Sequence, residues 1–289
     1  MPDAEPQPLP RAVLVGLIGA GIQASRSPAL HEREGAAQGL RYLYRLIDLD
    51  VLGLTAGALP ELLLAARRFG FAGLNITHPC KQLVIPLLDA LSDDAEAIGA
   101  VNTVVLAPDG RAIGHNTDWY GFAESFRREL ADAPRSLVAQ LGAGGAGSAV
   151  AHALLTLDVG ELLISDIDAA RAERLAKELC GRFGAGRAVA LRDPERTIRT
   201  VDGVVNTTPV GMVGHPGMPL PPDWLRPDLW VADIVYFPLE TELLRTARAL
   251  GCRTMAGGTM AVFQAVGAFQ LFTGIRPDAD RMIRHFVGM

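Results

Sequence analysis

Of the 27 basic side chains in this sequence, only Lys81 and Lys177 are lysine. Where arginine supplies nearly all the positive charge, a lysine marks a place that uses an amine able to gain and lose a proton, which a guanidinium cannot do. Lys81 ends the run Asn75-Ile76-Thr77-His78-Pro79-Cys80-Lys81, which offers an amide, a hydroxyl and an amine in one short segment. The pattern places this run at the exit of a strand and Lys81 in the first turn of a helix, where unpaired N–H groups and the helix dipole disfavour a cation and so suit proton transfer. A solvated lysine at a helix start is the plainer alternative. Further on, VNTVVLAP-DG-RAIGHNTD reads as a hairpin. If Asp109-Gly110 is a two-residue type I′ turn, Asn102 faces Thr117 and Asp118 stands one step away. A titratable lysine, a carboxylate and several amide and hydroxyl donors are what a hydroxy-acid dehydrogenase requires. Spacing alone does not bring Lys81 to Asp118.

A second chemistry lies in Gly142-Ala143-Gly144-Gly145-Ala146-Gly147, which follows the apolar run VAQL and opens the helical stretch SAVAHALL. Glycines so placed allow a tight turn, close approach of a pyrophosphate to the backbone, and close helix packing, with the phosphates on the helix N-terminus. The stretch ELLISD then ends on Asp166, where an acid would hold the ribose hydroxyls of a dinucleotide and repel a 2′-phosphate. NAD is therefore expected over NADP. Asp168 could share that role, Arg171 could offset part of the repulsion, and Asp166 could instead be an exposed strand end.

For these residues to act together, other elements must position them. Val13–Gly19 and Tyr42–Asp48 read as strands on either side of a helix that Ser27 would cap, with Pro28 at its first position and Gly39 past its end. Leu59–Phe69, closed by Gly70, reads as a helix leading into the strand AGLNIT and a break at His78-Pro79. From about Leu137 to Met255 the strands VAQLG, ELLISD, GVVN and WVADIVY alternate with helices such as DAARAERLAKEL and LETELLRTARALG, the pattern of a parallel doubly wound sheet. MAVFQAVGAFQLFTG is an apolar helix, followed by a short final one. The expected fold class is α/β: an N-terminal α/β substrate domain over residues 1–118, completed by 259–289, and a Rossmann-type dinucleotide-binding domain over residues 119–258. Substrate is expected in the cleft between them.

Composition narrows the partners. With 289 residues, a net charge of -5 and a pI near 5.7, the chain has no basic stripe to track nucleic acid, and a small-molecule ligand fits better. The start, Met1–Pro10, is acidic and Pro-rich without a basic n-region, and no run of about 18 apolar residues follows, so a cytoplasmic protein without a membrane partner is expected. Cys80, Cys180 and Cys252 lack CxxC spacing and read as reduced thiols. The six histidines lack ligand spacing. No metal is expected, with His78 and His115 read as turn and hairpin residues.

The motifs taken in order carry a resemblance. Ser25-Arg26-Ser27-Pro28-Ala-Leu-His31, Asn75-Ile-Thr77-His-Pro-Cys-Lys81, Ala100-Val-Asn102-Thr103, Asn116-Thr117-Asp118, the glycine turn, Asn206-Thr207-Thr-Pro209-Val-Gly211-Met212, Asp233-Ile-Val235-Tyr236 and Met260-Ala-Val-Phe-Gln264 resemble the motif set of shikimate/quinate dehydrogenases, most closely the NAD-preferring quinate/shikimate type. The resemblance implies that Lys81 and Asp118 are the catalytic pair and that Ser25 and Ser27 hold the substrate carboxylate. It implies that Asn75, Thr77, Asn102 and Gln264 bind or position ring hydroxyls, with Tyr236 near the carboxylate and the cleft. Thr207, Pro209, Met212, Val235, Gly257 and Met260 would join the glycine turn in holding the cofactor. It implies oxidation of shikimate to 3-dehydroshikimate, with quinate as a further substrate, and leaves room for a homodimer. The sequence departs from the family pattern at Gly19–Ala24 and at Thr259, which bear on substrate and nicotinamide contacts. An aminoshikimate dehydrogenase and a non-catalytic metabolite sensor are the alternatives; the intact Lys81 and Asp118 argue against the sensor.

Overall fold

A computed structural model describes residues 11–289, so the Pro-rich start Met1–Pro10 lies outside the described residues. Twelve strands follow in chain order: β1 (Ala12–Gly19), β2 (Arg41–Asp48), β3 (Gly73–Ile76), β4 (Ala90–Leu91), β5 (Thr103–Leu106) and β6 (Ala112–His115), then β7 (Leu137–Leu141), β8 (Glu161–Ser165), β9 (Ala188–Ala190), β10 (Gly203–Asn206), β11 (Trp230–Asp233) and β12 (Arg253–Ala256). They form two six-stranded sheets, in the orders β2-β1-β3-β5-β6-β4 and β12-β11-β10-β7-β8-β9. All pairings in the second sheet are parallel, and its order reverses between β7 and β10. That is the doubly wound dinucleotide-binding order, with its crevice at the carboxyl ends of the central strands. The α/β expectation holds. Among the described residues, no helix is long and apolar enough to cross a membrane.

The central strands of each sheet are short, apolar and buried on both faces. The face of β1 and β2 carrying Val13, Val15, Leu17, Tyr42 and Tyr44 packs against Phe269 and Phe272 of the helix Gly257–Thr273. The opposite face, with Ile18, Leu74 and Ile76, packs against Leu59, Leu63 and Ala66 of the helix Leu59–Arg68. The C-terminal segment thus completes the first sheet's core. Its last helix, Ala279–Val287, is tied down by Arg281, which donates to both oxygens of the fully buried Glu34 at 2.7 and 2.8 Å. The helix Asp118–Glu129, not anticipated from the sequence, sends Phe122 and Phe126 into the second sheet's core while its first residue faces the first sheet.

Three local expectations are corrected. The hairpin closes through a three-residue loop, with Ala107 N–H bonded to Arg111 O and Gly110 N–H to Ala107 O, so Thr103 pairs with His115 and the register is one residue from that expected. Pro108 explains this: its fixed negative φ suits the first corner of an ordinary turn, and only Gly110, at φ +90°, takes the left-handed conformation that a type I′ turn would demand of Asp109 as well. Ser27 does not cap the helix Ser27–Ala37 but is its first residue. Lys81 lies in a turn leading to a 3₁₀ turn at Ile85–Leu87, not in an α-helix. Pro86 bars one there, having no N–H for the carbonyl four residues back and a ring that collides with it.

His31 shows how the first core constrains pH stability. It is fully buried among Tyr42, Tyr44, Phe269 and Phe272, its Nδ1 is 3.1 Å from Tyr42 Oη, and its Nε2 has no partner. Burial lowers its pKa from 6.5 to about 3. The unfolded chain therefore binds the extra proton first, so the stability is complete above about pH 6.5 and is lost as pH falls toward 3. Between pH 7 and 5 the loss from this one group is about 2 kcal/mol. Chemical denaturation of the wild type and His31→Phe at those pH values should show a smaller drop in the variant; equal drops would exclude His31 as the source.

Candidate active site

The loops that leave β1 and β3 emerge side by side, because these strands are parallel neighbours. One carries Ser25 and Ser27, the other Thr77 and Lys81. Antiparallel β5 enters next to β3, with Asn75 directly opposite Thr103 and Ile76 N–H bonded to Asn102 O at 2.8 Å. Residues far apart in sequence thereby meet at the carboxyl ends of the neighbouring strands β1 and β3.

Lys81 Nζ donates to Asp118 Oδ2 at 2.5 Å, and Asn102 Nδ2 donates to Asp118 Oδ1 at 2.8 Å. Asn102 Oδ1 accepts from Thr117 N–H at 2.7 Å and from Thr103 Oγ1 at 3.0 Å, which fixes the orientation of the amide. Asn75 Nδ2 donates to Thr103 Oγ1 at 3.0 Å, and Tyr44 Oη donates to Asn75 Oδ1 at 2.8 Å. One buried network thus runs from Tyr44 to the Lys81–Asp118 pair. Asn116 secures its end by accepting from Asp118 N–H at 3.0 Å and donating to Ala100 O at 2.9 Å. The ion pair is charge-assisted and only partly open to water, with 22% and 12% of the two side chains exposed, so its geometry is held rather than averaged.

Ser25 and Ser27 are half-buried, and Ser25 Oγ accepts from Ser27 N–H at 3.3 Å, leaving its own hydrogen free to donate. The loop before them is pinned by Asp48, whose carboxylate accepts from the Gly21 and Ile22 amides and from Gln23 Nε2. Burial pushes the Tyr44 phenol well above the usual range, with the Ser27 hydroxyl acting in the opposite direction. Thr77 packs its methyl beside Gly19. From the other side, Tyr236 follows β11 and remains 45% exposed. Desolvation raises its phenol, with the Lys81 charge lowering it and the Asp118 charge raising it. Gln264 is half-buried in the helix Gly257–Thr273, where that helix crosses the first turns of Asp118–Glu129: a methyl at Gly121 would lie 2.8 Å from Gln264 N.

In the second sheet the glycine turn sits at the order reversal. Gly142 has φ +103° and no room for a side chain against Thr207, whereas positions 144 and 145 face open space. The first intrahelical bond is Ser148 N–H to Gly144 O at 2.8 Å, so the amides of Gly145, Ala146 and Gly147 precede it and point at that space. This cradle fits a pyrophosphate. Asp166, its side chain only 7% exposed, accepts from Ala143 N–H at 2.7 Å and from Asp168 N–H at 2.9 Å. Each oxygen keeps a lone pair for a ribose hydroxyl. Asp168 instead caps the helix Ala169–Phe183, and Arg171 lies 3.7 Å from Asp166. Thr207 and Val235 are buried just past β10 and β11, Gly257 and Met260 are buried in the first turn of the helix Gly257–Thr273, and Pro209 and Met212 are exposed on the loop after β10.

Tyr44, Thr103 and Asn116 were not singled out from the sequence. Asn116 carried a readable signal, an Asn two residues before a helix. Thr103 stood in the motif Ala100-Val-Asn102-Thr103 without a role of its own, and Tyr44 carried no signal beyond strand alternation.

Comparison with known proteins agrees with this fold. The family described as "Shikimate dehydrogenase substrate binding domain" matches residues 17–104. A Streptomyces avermitilis protein called shikimate dehydrogenase (NADP(+)) is 62% identical over 272 residues, covering 93% of each chain. A Corynebacterium efficiens quinate/shikimate dehydrogenase (NAD(+)) is 51% identical over 280 residues, covering 96% of this chain and 99% of that one. Among solved structures, quinate dehydrogenase from Corynebacterium glutamicum in complex with NAD superposes with a TM-score of 0.91 at 49% identity, over 96% of this chain and 100% of that one.

Proposed function

The chain belongs to the shikimate/quinate dehydrogenase family, NAD(P)-dependent oxidoreductases acting on a CH–OH group, and from that premise we propose that it oxidises a ring hydroxyl of shikimate, with quinate as a second substrate and NAD as the preferred hydride acceptor. The observation that carries this is the single network joining Tyr44, Asn75, Thr103, Asn102, Asp118 and Lys81. Of the described residues, 11–118 completed by 259–289 make the substrate domain, and 119–258 make the dinucleotide domain.

When bound, the nicotinamide supplies the hydride chemistry, and the residues of the chain do the positioning and the proton transfer. Ser25 and Ser27 hold the substrate carboxylate from the β1 loop, with Tyr236 beside it. Asn75, Thr77, Asn102 and Gln264 hold ring hydroxyls. Lys81 first gives up a proton from its ammonium to solvent; as the ring carbon then loses hydride, the neutral Nζ accepts the hydroxyl proton and a carbonyl remains. The ammonium so restored re-forms the ion pair with Asp118, whose other oxygen is occupied by Asn102.

The carboxylate clamp gives a direct test of substrate class. Losing a hydroxyl that bonds a charged group is worth about 1.5 to 3 kcal/mol, so Ser25→Ala/Ser27→Ala should bind shikimate roughly 10- to 150-fold more weakly in a calorimetric titration. Because Ser27 caps no helix, its share of the loss should appear without a fall in melting temperature. Unchanged affinity in the double variant would remove both serines from the site.

A further inference from the structure

Gln140 is fully buried in β7, flanked by the buried apolar Ala139 and Leu141, two residues before the glycine turn. Its Nε2 donates to Gly142 O at 2.8 Å and to Gly147 O at 2.9 Å, while its Oε1 has no partner. Reversing the amide would set an acceptor against two carbonyls, so chemistry fixes this orientation. A leucine or methionine would fill similar space and leave no unpaired acceptor in the core. Burial alone therefore does not account for a glutamine here.

The surrounding contacts point to the turn. Thr207 Oγ1 also donates to Gly142 O, at 2.9 Å, and Ala143 N–H is taken by Asp166. The Gly142–Ala143 peptide is thus held at both ends. Gly147 lets the helix approach so closely that a methyl there would lie 2.5 Å from Gly142 O. With these carbonyls drawn inward to Gln140, the amides of Gly145, Ala146 and Gly147 are left facing outward.

We propose that Gln140 is a positioning residue for the dinucleotide: its side-chain amide locks the two ends of the glycine turn in the form that presents the turn's amides to a pyrophosphate. This rests on the reading of the turn as the cofactor site. In the full chain, Gln140→Met and Gln140→Leu should raise the Kd for NAD about 5- to 30-fold, the worth of two neutral hydrogen bonds, while kcat at saturating NAD and the KM for shikimate stay within about twofold. A Kd within about twofold of wild type in both variants, with or without a lower melting temperature, overturns the proposal and leaves Gln140 a core residue. A wild type that binds no NAD overturns the site reading and this inference together. If neither variant folds, hydrogen exchange of the Gln140 side-chain amide in the wild type decides: slower exchange with NAD bound supports the role, and unchanged exchange overturns it.

Discussion

Lys81→Met should lower kcat for shikimate oxidation by about two to four powers of ten, the usual worth of a general base, while the Kd for NAD stays within about twofold. Methionine keeps the stem but has no amine to accept the hydroxyl proton, and the glycine turn belongs to the other sheet. The carboxylate of Asp118 would lose its ion-pair partner and keep the bond from Asn102 Nδ2. Some stability should go with it, since a partly buried charge is left uncompensated. Lys81→Arg separates charge from proton transfer: a guanidinium restores the cation but cannot give up its proton, so it should be nearly as inactive as the methionine variant. Stopped-flow turnover with a parallel melting curve checks both. Near-normal turnover in Lys81→Met would remove the assignment, and full rescue by arginine would reduce Lys81 to an electrostatic role.

Asp166 should make the wild type favour NAD over NADP by roughly 30- to 150-fold in kcat/KM. Two unit charges at about 4 Å and an effective dielectric near 20 repel by roughly 4 kcal/mol, and partial exposure of the site with Arg171 nearby leaves about 2 to 3 kcal/mol. Arg171, 3.7 Å from Asp166, is the feature that pulls the other way, since it could pair with a 2′-phosphate. The relatives divide on the same point, the Streptomyces avermitilis protein being called NADP(+)-dependent and the Corynebacterium efficiens protein NAD(+)-dependent. Because Asp166 also holds the Ala143 amide, Asp166→Ala should weaken both cofactors and narrow the gap between them. Asp168→Ala should leave the ratio almost unchanged and cost about 1 kcal/mol of stability through loss of the helix cap. Comparable kcat/KM for NAD and NADP in the wild type would show that Asp166 does not select.

The parts of this account legible in the sequence were those set by local chemistry. Short apolar runs gave β7, β8, β10 and β11, and the spacing from the glycine turn to Asp166 matches the contact between Asp166 and the Ala143 amide. β9 and β12 escaped because Ala188–Ala190 and Arg253–Ala256 are short runs at the sheet edges without clear periodicity. At two places a single proline outweighed a motif: Pro108 displaced the turn that Asp109-Gly110 suggested, and Pro86 denied Lys81 its helix. The meeting of Asn102 with Asp118 survived the register error because a one-residue shift moves the pair by only a few ångströms. What the sequence could not supply was the meeting of Lys81 with Asp118, or of Tyr44 with Asn75, since each depends on which strands are neighbours. The order β2-β1-β3-β5 decides both.

The most direct test of the central claim is the appearance of reduced nicotinamide when the purified chain is offered shikimate, quinate and aminoshikimate, each with NAD and with NADP. Rapid reduction of NAD by shikimate, slower reduction of NADP, and loss of both in Lys81→Met are expected. Binding of shikimate and NAD without reduction would contradict the account and make the chain a metabolite sensor, and turnover of aminoshikimate alone would contradict the substrate.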